Sequence, residues 1–112
     1  MQTIELCHHN VIQESQSHGF EISESLNIFA VRKDGNIYTY RNRCPHLGIE
    51  LEWQEHDFLD NDKALIQCST HGALFLIETG ECVAGPCLGE KLIKVDNKVD
   101  DAGNLIVLVN VD

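Results

Sequence analysis

Leu26-Asn27-Ile28-Phe29-Ala30-Val31-Arg32-Lys33-Asp34-Gly35-Asn36-Ile37-Tyr38-Thr39-Tyr40-Arg41 is the stretch that decides the fold. Two runs, 26–33 and 36–41, are rich in β-branched and aromatic residues, which suit a pleated, half-buried surface. Between them Lys33-Asp34-Gly35-Asn36 supplies residues that tolerate a tight reversal, so the stretch reads as a β-hairpin. Working outward, segments 2–7, 19–23, 64–68, 73–77, 91–95 and 104–110 have the same texture. Thr79-Gly80, Gly85-Pro86 and Ala102-Gly103 mark turns. No segment repeats its apolar residues with a sustained helical period. Short strands at regular spacing predict one all-β domain over residues 1–112, an antiparallel sandwich or barrel.

The 112 residues are 43% apolar, enough for a modest core. Eighteen acidic residues oppose eight basic ones, a formal net charge of −10. Nucleic acid and anionic membrane surfaces would repel such a chain, whereas a basic protein partner suits it. Met1 to Asn10 lacks the basic and apolar regions of a signal peptide. The longest strongly apolar run, Leu105 to Val109, is far short of the roughly 20 residues of a spanning helix. A cytoplasmic protein with reduced thiols is expected, and its five cysteines do not read as a disulfide framework.

Two short loops carry the chemistry: Cys44-Pro45-His46-Leu47-Gly48 and Cys68-Ser69-Thr70-His71-Gly72. Each offers one thiolate and one imidazole, and each ends in a glycine that lets the backbone turn tightly beside a bound object. In a [2Fe–2S] cluster of mixed ligation, one iron takes two thiolates and the other two imidazoles. Two similar loops clasping it from opposite sides must each give one ligand to each iron. Two ferric ions, two sulfides and two thiolates sum to zero, and one-electron reduction reaches only −1. A four-thiolate cluster starts at −2 and accepts an electron less readily. The competing reading is a structural zinc site, since two Cys and two His are also a zinc set. Zinc fingers group like ligands, however, and the mixed C-x-H and C-x₂-H pairs suit two irons better. Cys44, His46, Cys68 and His71 are therefore the candidate ligands of one [2Fe–2S] cluster.

The loops CPHLG and CSTHG, followed by Ala73-Leu74-Phe75, Thr79-Gly80-Glu81 and Gly85-Pro86, resemble the Rieske family over about residues 40–90. Within it the chain is similar to the small ferredoxins that feed bacterial aromatic-ring oxygenases. The resemblance implies a Rieske fold of antiparallel sheets, with a cluster-binding subdomain at about 42–88 inserted in a basal β domain. It implies histidines exposed at the tip as the electron port, and a proline loop at Gly85-Pro86 over a third side of the cluster. It also implies a monomeric one-electron carrier, not itself an enzyme, between a flavin-dependent reductase and a terminal oxygenase. The alternative class is a small subunit of a larger reductase, as in nitrite reductases, which often lack the ligands. The respiratory branch has an extra cysteine in each loop; Ile49 and Ser69 stand there, so that disulfide cannot form. That branch also places hydroxyls two and four residues after the second histidine, where Ala73 and Phe75 stand.

The acidic run 50–62 lies between the ligand pairs and is a little longer than in similar ferredoxins. It reads as a solvated loop that can also face a partner. Trp53 within it reads as a local apolar anchor. Cys82 and Cys87 read as small packing residues flanking the proline loop. Cys7-His8-His9 is expected to alternate faces of a strand and not converge. His18 and His56 carry no expected role.

Overall fold

A computed structural model describes residues 2–24, 26–43, 56–68, 72–85 and 88–109. Nine strands follow in order: β1 Gln2–His8, β2 Ser17–Ser23, β3 Leu26–Lys33, β4 Asn36–Arg41, β5 Leu65–Gln67, β6 Leu74–Leu76, β7 Cys82–Ala84, β8 Lys94–Val99 and β9 Asn104–Val109. Among the described residues one 3-10 turn spans His9–Val11. No helix among these residues is long and apolar enough to cross a membrane.

The expected hairpin is β3–β4, paired antiparallel from Ile28↔Arg41 to Lys33↔Asn36. Asp34 and Gly35 both take positive φ, 54° and 82°, the geometry a two-residue turn needs to match strand twist. The segment from His9 to Gln16 is wrapped onto the hairpin. The Glu14 carboxylate accepts the Asp34 and Gly35 amides at 2.7 and 2.9 Å. Arg32 donates from Nε to the Ile12 carbonyl and from Nη2 to the His9 carbonyl.

The larger sheet runs β1-β9-β8-β4-β3-β2, and a second runs β5-β6-β7, all antiparallel. The two halves of the larger sheet meet only at Thr39↔Val95 and Tyr40↔Lys94. Buried Thr39 secures that junction, donating to the Val95 carbonyl at 2.6 Å and accepting from Asn97 Nδ2 at 2.8 Å. Joined so narrowly, the halves fold over one another. Ile4, Leu6, Val107 and Val109 pack with Ile22, Leu26 and Ile28 in a shared core.

A second core joins the larger sheet to the smaller one. Phe29, Val31 and Tyr40 contribute from β3 and β4; Ile66, Phe75, Ile77 and Cys82 come from the β5–β7 side, with Phe58 and Leu92 between. Phe29 and Phe58 stack at 4.3 Å with 6° between planes. Burying each such ring stabilises the fold by about 1.5–3 kcal/mol.

Four expectations need correction. The run 91–95 is not the strand: β8 begins at Lys94 and continues to Val99, while Lys91 forms only a bridge with Glu81. Strand β7 was not expected at all. In Cys7-His8-His9 the strand stops at His8, and the 3-10 turn brings the His8 and His9 rings into a stack at 4.8 Å. Alternation therefore fails at His9. His18 and His56 are also not incidental, since their rings lie 3.8 Å apart. His56 Nδ1 accepts the Gly19 amide at 2.9 Å, and the Ser17 hydroxyl donates to the His56 carbonyl at 2.8 Å. Together they close the outer edge of β2.

Candidate metal centre

Each candidate ligand loop follows a strand of fixed position. β4 ends at Arg41, whose amide donates to the Ile93 carbonyl at 2.9 Å; the Asn42 amide then donates to the Asn27 carbonyl at 2.8 Å. Those bonds fix the chain two residues before Cys44. β5 ends at Gln67, whose amide donates to the Phe58 carbonyl at 2.9 Å, one residue before Cys68.

The base of the second loop is closed by the Cys68 amide, which donates to the Ala73 carbonyl at 2.8 Å. Gly72 turns the chain back at φ 64° into β6. Cys68 is fully buried in the same core as Phe58, Phe75 and Ile77. A free thiolate there would be strongly disfavoured by desolvation. Bonding to a cationic iron compensates that cost, and the apolar wall excludes competing water, so Cys68 suits a metal-thiolate role.

A third wall comes from the chain after β7. Gly85, at φ 101°, rests on Ala73 so closely that a Cβ would stand 2.8 Å from the Ala73 Cα. Cys82 is buried and its thiol donates to the Ala84 carbonyl at 3.2 Å, in keeping with a packing role. Cys7 is half-buried, and burial pushes its thiol pKa up, away from thiolate chemistry.

Of the four candidate ligands the structure places Cys68. Cys44, His46 and His71 lie outside the described residues, as do Leu47, Ile49, Trp53, Ser69, Pro86, Cys87 and residues 50–55 of the acidic run. Among the described residues no three His, Cys, Asp or Glu side chains converge on a rival metal site. The support that sequence reading missed is Tyr40, whereas Gly85 was read both as a turn and, with Pro86, as the proline loop. Tyr40 gave no local signal, because its partner lies in another sheet.

The family described as the Rieske [2Fe-2S] domain matches residues 2–105. The chain belongs to the Rieske family. Membership brings one [2Fe–2S] cluster, and the fully buried thiol of Cys68 fits that Rieske cofactor. The solved ferredoxin of carbazole 1,9a-dioxygenase from Nocardioides aromaticivorans IC177 is 20% identical. The match covers 96% of this chain and 97% of that one, with a TM-score of 0.75. A Sphingomonas yanoikuyae B1 ferredoxin is also 20% identical, with coverage of 95% and 97% and a TM-score of 0.72. A complex of reduced oxygenase and oxidized ferredoxin in carbazole 1,9a-dioxygenase matches at 20% identity, covering 94% of this chain and 91% of the matched one, TM-score 0.75. At this identity the likeness shows a shared Rieske fold. No curated protein matches the chain.

Proposed function

We propose that this Rieske protein is a cytoplasmic, monomeric one-electron carrier whose cluster is held by Cys44, His46, Cys68 and His71. It takes electrons from a flavin-dependent reductase and gives them to a terminal oxygenase. Residues of about 42–88 form the cluster-binding part, resting on the basal strands, and the chain supplies no substrate chemistry of its own. The observation that carries the reading is the match to two solved ferredoxins, one of them of carbazole 1,9a-dioxygenase, across almost the full length of both chains. A relative is also described in complex with its oxygenase.

The cluster supplies a site for one electron. The protein's part is to hold it in a low-dielectric wall on one side and bring it to a partner on the other. The net charge of −10 supports steering toward basic partners. With a Debye length of about 8 Å at physiological salt, steered rates fall as salt rises.

The test is anaerobic titration followed by transfer. The holoprotein takes up about one electron per chain, and on mixing with an oxidised Rieske oxygenase it is reoxidised. A protein that accepts no electron, or is reduced and never reoxidised, contradicts the carrier role.

A further inference from the structure

Strands β4 and β8 pair at Thr39↔Val95 and Tyr40↔Lys94 and then part. In the gap the Asn97 side chain reaches across, its Nδ2 donating to Thr39 Oγ1 at 2.8 Å and to the Ile37 carbonyl at 3.3 Å. Beyond that prop lies a cleft of about 370 Å³, whose walls include His9, Arg32, Asn36, Ile37, Asn97 and Val99. It opens beside Asn36, where β4 begins, whereas the first ligand loop follows the other end of that strand.

Arg32 is half-buried in this wall, and its guanidinium is held in one position. Nε donates to the Ile12 carbonyl at 2.6 Å and Nη1 to the Gly35 carbonyl at 3.3 Å. Nη2 donates to the His9 carbonyl at 2.8 Å and to His9 Nδ1 at 3.0 Å. A guanidinium has five N–H donors and accepts nothing. Four are engaged in these bonds, so one N–H on Nη1 is left. The bond to His9 also fixes the imidazole tautomer. Nδ1 accepts, and the ring hydrogen therefore sits on Nε2 as a second donor.

All of these partners of Arg32 are neutral. Among the described residues Lys33 pairs with Glu78, and Arg32 has no ion pair. Glu14 feels its charge, but that carboxylate is engaged by the Asp34 and Gly35 amides. Asp100 Oδ1 likewise accepts the Ala102 and Asn104 amides. A half-buried cation among neutral partners costs free energy that a bound anion offsets.

We propose that this cleft binds a small monocarboxylic acid. One carboxylate oxygen takes the free Nη1–H of Arg32 and the other takes Nε2–H of His9, while a short hydrocarbon body lies against Ile37 and Val99. Two donors suit the two oxygens of a carboxylate, whereas sulfate or phosphate would leave oxygens unpaired there. The cleft has the scale of a small-molecule site. The proposal does not rest on the carrier reading.

The test is isothermal titration calorimetry of the oxidised holoprotein with 3-methylbutanoate near neutral pH. Saturable binding is expected, about one acid per chain, with Kd on the order of 1 mM or tighter. The neutral isostere 3-methylbutanamide does not bind. Acetate, which lacks the branched hydrocarbon, binds at least about tenfold more weakly. Arg32→Gln abolishes binding. Because Arg32 also ties the chain after β1 to β3, two exposed positions decide the matter if that variant fails to fold. Asn36→Asp sets a like charge at the rim and weakens binding about threefold, and Val99→Lys adds a cation and tightens it about threefold. Thr3→Asp, on β1 and on the order of 20 Å from His9, leaves it unchanged. Absence of saturable binding, or equal binding of acid and amide, overturns the proposal. So does parent affinity in both Asn36→Asp and Val99→Lys, or an equal weakening by Thr3→Asp and Asn36→Asp, since either result places the acid elsewhere.

Discussion

The Tyr40 hydroxyl donates to the Ile77 carbonyl at 2.6 Å, tying β4 of the larger sheet to the turn that follows β6 of the smaller one. Both residues are buried, and burial pushes the phenol pKa up, so Tyr40 remains a neutral donor. Its ring also stands against Phe29 at 5.8 Å. Through this bond the strand leading to the first ligand loop and the strand leaving the second are held in one frame. Tyr40→Phe strands the Ile77 carbonyl in the core. A loss of about 1–3 kcal/mol is expected in denaturant unfolding of the apoprotein. Unchanged stability would mean the bond does not join the sheets.

Gly80 lies under the same ring. Its φ is +76°, and a Cβ there would meet Tyr40 Cε1 at 2.8 Å and Leu92 Cβ at 3.2 Å. Gly80→Ala therefore combines left-handed strain with a clash, and a cost of roughly 2–4 kcal/mol is expected. Gly35, at φ +82° with nothing within 4 Å, is the comparison. Gly35→Ala should cost about 1 kcal/mol, from strain alone. Equal melting shifts for the two would refute the clash.

Stability should weaken in acid through Glu14. Hydrogen bonds from the Gly35 and Asp34 amides hold its carboxyl below the usual carboxylate range in the folded protein. Its folded pKa is thus lower than the unfolded value of about 4.3. The contribution is present above that unfolded value and is lost as pH falls through the folded one. Glu14→Gln should flatten the dependence of unfolding midpoint on pH below about 4.3 relative to the parent. Parallel curves for parent and variant would contradict the assignment.

The cluster is expected at the low end of the Rieske range, near about −150 mV. Ala73 and Phe75 are both buried beside Cys68, and neither carries a hydroxyl to stabilise the more negative reduced site. Ala73→Ser and Phe75→Tyr should each raise the potential in protein-film voltammetry. A parent midpoint above about +100 mV would overturn the argument.

The hairpin β3–β4 was legible because its turn residues and β-prone runs are local signals, and its bounds match the expectation residue for residue. β7 was not legible. Its three residues sit between Gly80 and Gly85 and become a strand only because β6 offers an edge to Phe75↔Cys82. β8 was misplaced because Lys94, Asp96, Asn97 and Lys98 make it read as polar, although pairing with β9 from Asp96↔Leu108 to Val99↔Leu105 holds it. The candidate ligands were read from residue types at a telling spacing, and of them the described residues include Cys68, buried in the core. The supporting contacts, Tyr40 to Ile77 and Gly85 on Ala73, join residues too far apart in sequence to leave a local pattern.

The ligand set itself is tested most directly by metal and sulfide analysis with pulsed electron paramagnetic resonance of the reduced protein. About two irons and about two acid-labile sulfides per chain are expected, with nitrogen couplings from two histidines and loss of all of these in Cys68→Ala. About one zinc per chain without iron or sulfide, in protein made with ample iron, would contradict the assignment of Cys44, His46, Cys68 and His71 to a [2Fe–2S] cluster.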